Sequence, residues 1–329
     1  MIPLQRRLLQ RLCLEQGALQ HSTELARLTM QKARGTRFEL DGVLDLVHVS
    51  TLRKGMIADS DILELERTLS LPSSSRSPRA LRLLGHAMAS STYARLLDAM
   101  QPDEEMYPAD GWAAAESTFR RALAAHDMAI NLARRRVESA AMRSCQGAQD
   151  LDVETKLSPA VGVEPLRCRS DAPCYGDPAP GLSGSLLEEA IALGHAGSPE
   201  LRGPLLELGE CVAARARCWF YIATVSTQSP PEGGLFAIGS EVAANEALET
   251  FEDAVEVFAS ARGPYSPLER SLEYADVLKD YGNLLLCFFD EGEAQVVDRP
   301  LAKSVELHEE LLGRSHPQTC TVRELSYRE

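Results

Sequence analysis

The chain has 329 residues with a formal net charge of −14, and 44% of its side chains are hydrophobic, 25% charged and only 5% aromatic. That balance belongs to a folded chain rather than a disordered one, long enough for two ordinary domains or one extended array. A surface this acidic repels phosphate backbones, so nucleic acid is disfavoured as a partner.

The N-terminus, MIPLQRRLLQRLCL, places Arg6, Arg7 and Arg11 ahead of the first acid, Glu15, and sets Leu4, Leu8 and Leu12 on one helical stripe. The pattern fits a mitochondrial targeting helix, and it equally fits an ordinary first helix packed on its neighbours. An intracellular protein is expected, with mitochondrion and cytoplasm both open.

Amphipathic spacing predicts helices over 4–34 and 57–69, the second led by the capping candidates Asp59 or Ser60. SLPSSSRSPR, at 70–79, breaks the pattern with Pro and Ser and predicts a loop. A Leu/Ala helix resumes over 80–100, QPDEEMYPADG interrupts it, and a long helix is predicted from Trp112 to about Met142. Segment 145–184 is rich in Pro, Gly and Asp and has no period of either kind, the mark of a long irregular insertion. Helical text returns at Ser185 and runs to the C-terminus with one break at 228–240. No stretch alternates with period two, so no strand is predicted. The regions are therefore 1–79, N-terminal helices; 80–144, a first helical unit; 145–184, the insertion; and 185–329, further helical units.

A packing code recurs in this text. Ala247, Phe251 and Ala254 stand at i, i+4 and i+7, which puts small, large and small side chains on one helix face. Small residues let a neighbouring helix approach and the aromatic fills the gap beside them, as tight helical hairpins require. Gly263 then offers a helix C-cap and Pro267 delays the next helix. The same register gives Val297, Leu301 and Ser304, followed by Gly313 and Pro317. Ala115, Phe119 and Ala122 repeat the face a third time without the ending.

These units resemble the tetratricopeptide repeat (TPR), whose second helix carries Ala, aromatic and Ala at this spacing. The phrase LLGRSHPQT, Leu311 to Thr319, is similar to the kinesin-light-chain type of that repeat. In the family a helix A precedes each such helix B. YADVLKDYGNLLLCFFDEG (274–292, with Gly292 at the turn) matches that slot, and CWFYIATVST, with Trp219, matches the slot before it. The resemblance covers about 200–329 well and 80–125 weakly. The two clear units stand 50 residues apart (313 minus 263), longer than the usual period, and TVRELSYRE would cap the array. It implies an all-α fold, an α-α superhelix of TPR-like repeats with a long irregular insertion. It also implies that helix A lines a concave groove, which nominates Lys279 and Asn283, with Arg323 on the last helix, as partner-binding residues.

Chemistry-bearing patterns are sparse. The eight cysteines show no CxxC pair and no histidines at zinc spacing, and read as small hydrophobes in a reducing compartment. The seven histidines are scattered, and neither a phosphate loop nor a nucleophile-and-base spacing stands out. CWFYIATV, from Cys218, is far shorter than the roughly 20 residues that cross a bilayer. The arginines at 120, 121, 134, 135, 136 and 143 could make a basic patch, but the consecutive placement of 134–136 spreads charge around a helix, which fits a solvated or salt-bridged face. The expectation is a non-catalytic scaffold, accessory subunit or assembly factor, with a protein partner, no cofactor, no metal and no small-molecule substrate. The alternative is a helical-repeat RNA binder that uses those arginines.

Overall fold

The computed structural model describes residues 19–33, 42–47, 59–69, 77–99, 109–149, 199–228, 234–260, 271–289 and 294–326. In chain order they form α1 (Leu19–Ala33), α2 (Asp59–Leu69), α3 (Pro78–Ala99), α4 (Ala109–Gln149), α5 (Pro199–Ser226), a 3-10 turn (Phe236–Ile238), α6 (Ser240–Ser260), α7 (Leu272–Phe288), α8 (Ala294–Leu312) and α9 (Pro317–Ser326). A further helical turn spans 42–47 and, with Ala26 and Met30 of α1, buries Leu46. The fold is all-α, with no strand among the described residues.

Local chemistry sets the helix ends. α3 starts at Pro78, inside the predicted loop, because Ser77 caps it: the Ser77 hydroxyl accepts from the Ala80 amide at 3.3 Å, and proline suits the first helical position. Ser271 does the same for α7, accepting from the Tyr274 amide at 3.2 Å. α4 runs past the predicted end near Met142 to Gln149, because Gly147 alone costs only about 1 kcal/mol and no proline intervenes. Gly313 ends α8 in the left-handed region, φ 89°, with its amide donating to Glu309 O at 3.1 Å. Pro317 then opens α9, four residues ahead of the predicted capping stretch TVRELSYRE, because proline suits the first helical position. Gly263, Pro267, Gly292, the side chains of Asp59, Ser60 and Val297, the targeting-like stretch and nearly all of 145–184 lie outside the described residues.

Each helix from α3 onward packs against the next, and α3, α5 and α7 also contact one another in series across the hairpins. The recurring face forms the core of these hairpins: Ala115, Phe119 and Ala122 on α4, Ala247, Phe251 and Ala254 on α6, and Leu301 and Ser304 on α8 are all buried. Each large apolar side chain so buried contributes about 1.5–3 kcal/mol. The interruption at 228–240 is partly a plug. Phe236 is buried and meets Trp112 and Phe119 edge-on, with centroids 5.5 and 6.0 Å away.

The hairpins share a second device. In each, a glycine on the first helix receives a large side chain from the second: Gly85 takes His126, Gly209 takes Phe258 and Gly282 takes Leu301. His126, Phe258 and His308 stand seven residues after Phe119, Phe251 and Leu301, and all three are fully buried. The seven-residue extension of the face is therefore one equivalent position in three hairpins. In the third hairpin the glycine contact sits one step earlier, at Leu301.

Candidate partner-binding site

α7 carries Leu278, Leu284 and Leu285 into the core and turns Asp276, Lys279, Asp280 and Asn283 toward α5 and toward solvent. From α5, Arg217 pairs with Asp280 through its Nε. Lys279 Nζ sits 3.2 Å from Asp276 Oδ1 and 3.3 Å from Asp280 Oδ1. His308 of α8 places Nε2 3.5 Å from Asp276 Oδ1. Two cations and two carboxylates thus join α5, α7 and α8 in one network. Their side chains keep between 20% and 29% of their surface exposed, so solvent reaches the network.

The electrostatics follow from that crowding. Burial opposes the charge on Asp276, but Lys279, the His308 imidazole beside it and Arg217 outweigh it and hold the carboxyl well below the usual carboxylate range. Burial likewise opposes the Lys279 ammonium, and Asp280 and Asp276 more than offset it, so Lys279 stays charged. The Tyr221 phenol is pushed up, first by burial and then by Asp280. Tyr221 stacks on Tyr93 of α3, centroids 4.5 Å apart and planes 14° apart, and the neighbouring Phe220 meets Phe288 of α7 at 6.1 Å. Aromatic contacts therefore run across α3, α5 and α7 beside the ionic network.

The three nominated residues have separate situations. Lys279 is held between two aspartates. Asn283, one turn on, is half-buried, and the exposed Cys287 thiol approaches its Oδ1 at 4.0 Å. Arg323 of α9 pairs with Glu309 of α8, which also accepts from Arg314 Nε at 3.1 Å. The structure places Lys279 and Asn283 together on α7, whereas Arg323 belongs to a different ion cluster.

Sequence spacing did not reveal the clasp around His308. Ser304 Oγ donates to Ala275 O at 2.7 Å and lies 3.3 Å from His308 Nδ1, which is 2.8 Å from Ser304 O. Serine, histidine and aspartate are thus aligned, but Ser304 is fully buried and its hydroxyl proton is spent on a backbone carbonyl. The set fastens α8 to α7 and offers no nucleophile to a substrate. An i, i+4 Ser and His pair on a buried face was the available signal. Among the described residues no group of three or more His, Cys, Asp or Glu is placed to hold a metal ion, and no helix is long and apolar enough to cross a membrane.

The arginine concentration is largely neutralised. Arg120 pairs with Glu116 at 2.6 Å, Arg134 with Glu138 at 3.1 Å, Arg136 with Glu207 at 2.8 Å, and Arg121 with Glu66. By contrast α6 carries Glu241, Glu246, Glu249, Glu252, Asp253 and Glu256 and no lysine or arginine.

The chain matches no protein-family model and no curated protein.

Proposed function

We propose that this is a non-catalytic repeat protein of the tetratricopeptide class that holds a protein partner along the face of α3, α5 and α7, as a scaffold, accessory subunit or assembly factor. The observation that carries the reading is a recurring packing scheme: the small-large-small face on α4 and α6, Leu301 and Ser304 buried in the same register on α8, the buried seven-residue extension in all three, and a receiving glycine on each preceding helix. Hairpins that pack on neighbours alone leave an extended surface free for a peptide or another subunit. The partly exposed ionic network of α5 and α7, with half-buried Asn283 beside it, would form part of such a surface. The paired arginines weigh against the RNA-binding alternative, since a phosphate must compete with carboxylates already in place. For the compartment, the reading keeps mitochondrion and cytoplasm as the two candidates.

The test is purification of the full chain from native extract, followed by size exclusion and identification of any stoichiometric partner. Leu286, which is 43% exposed on α7 beyond Asn283, is changed to Lys, and Val242 of α6, 52% exposed, serves as the control. The reading expects a protein complex lost with Leu286→Lys and kept with Val242→Lys. RNA in place of protein, with binding that weakens steeply as salt rises, would replace it by the alternative.

A further inference from the structure

His126 has an unusual setting. It is fully buried on α4, and neither Nδ1 nor Nε2 has a hydrogen-bond partner among the described residues. Its ring lies over the bare Cα of Gly85 on α3: a Cβ there would come within 2.8 Å of His126 Cε1 and Nε2 and 2.9 Å of Ala122 O. The imidazole is thus packed directly against the α3 backbone.

The charged groups around it are all accounted for. Arg82 and His86 face it from α3, and Arg215 and Arg217 from α5. The acids nearby are engaged elsewhere. Glu210 pairs with Arg82 at 2.9 Å, Asp127, the next residue on α4, pairs with Arg215 at 3.0 Å, and Asp280 pairs with Arg217. Burial first, and then these four basic neighbours, hold the imidazole well below its ordinary value.

The equivalent positions differ. In α6 the seat over Gly209 is filled by Phe258, which cannot ionise. In α8 His308 has Ser304 O at 2.8 Å on one nitrogen and Asp276 at 3.5 Å on the other. Among the three, His126 alone would carry a charge with nothing to receive its hydrogen bonds.

We propose that His126 makes the α3/α4 hairpin an acid-sensitive joint, which parts when the imidazole takes up a proton, while α5/α6 stays shut under the same conditions. The sign follows from linkage. Because the closed state disfavours the proton, closure is fully favoured above the ordinary histidine value near ~6.5 and weakens about tenfold for each pH unit below it. Between pH 7.5 and 5.5 the opening equilibrium rises about tenfold.

The experiment is hydrogen exchange of the full chain at those two pH values, corrected for intrinsic rates and resolved by peptide. The expected result is about tenfold more opening in α3 and α4 peptides, with α6 peptides unchanged, and loss of the difference in His126→Phe. Phenylalanine is the side chain that already fills the matching seat over Gly209. An equal response in α6, or an acid response that survives His126→Phe, overturns the proposal. Should that variant fail to fold, the comparison of α3 and α4 with α6 in the unaltered protein decides alone, and equal protection overturns it.

Discussion

Leu301 of α8 seats its side chain directly over Gly282 of α7: a Cβ built on that glycine would lie 2.4 Å from Leu301 Cγ. The two helices approach only because the hydrogen of Gly282 stands where a methyl cannot.

Gly282→Ala is therefore expected to destabilise. Alanine gains about 1 kcal/mol of helix propensity, but forcing a methyl into a filled seat costs about 1–3 kcal/mol, and the backbone-near clash sits at the upper end. The net loss expected from denaturant unfolding is about 1–2 kcal/mol. Adding Leu301→Ala to Gly282→Ala should cost less than Leu301→Ala costs alone, and strict additivity would mean the seat relaxes without strain.

Asp280→Ala leaves Arg217 without its ion-pair partner at a place where the Arg217 side chain is 20% exposed. A sealed pair would lose about 3–5 kcal/mol on such a change, but solvent reaches this one. We expect about 1–2 kcal/mol, read as a shift in urea midpoint, and a smaller loss for Asp280→Asn.

Asp276 predicts an acid-side loss of stability. Its folded carboxyl is depressed, so its contribution is fully present above the unfolded value near ~3.9 and disappears as pH falls through and below it. Unfolding free energies measured at pH 5 and pH 3 should differ less in Asp276→Asn than in the unaltered chain. An unchanged difference would show that Lys279 and His308 do not hold this carboxylate.

Thiol reactivity should divide the described cysteines by access. Burial pushes the Cys211 thiol up to about 12 and raises Cys218 and Cys287 as well, but only Cys287 of these three is exposed to a reagent. Peptide-resolved alkylation at pH 8 should label Cys287 readily and spare Cys211 and Cys218 until denaturant is added. Early labelling of Cys218 would contradict the tight packing of α5.

The all-α class and most helix positions were legible because the apolar period is strong in α2, α4 and α6. The buried face was legible in Ala247, Phe251 and Ala254 for the same reason. Helix ends were less so: Ser77 and Ser271 fix theirs by single side-chain hydrogen bonds that periodicity does not register. The glycines at 85, 209 and 282 escaped because a seat is defined only by what another helix inserts, and in two hairpins that side chain comes seven residues after the aromatic of the recognised face. The ionic network escaped for a similar reason. Arg217 and Asp280 lie 63 residues apart, and in an acidic chain Asp276 and Asp280 read as ordinary surface until α5 is laid beside them.

Six carboxylates without a single base along α6 also govern how copies of the molecule meet. With four of the arginines on α4 already paired, α6 stands as a negative ridge, and two molecules turning it toward each other repel over about 8 Å at physiological ionic strength. Crowded preparations should therefore stay dispersed at neutral pH. They should clump as the medium nears the isoelectric point of about 5.1, where the ridge begins to discharge and its spacing force fades.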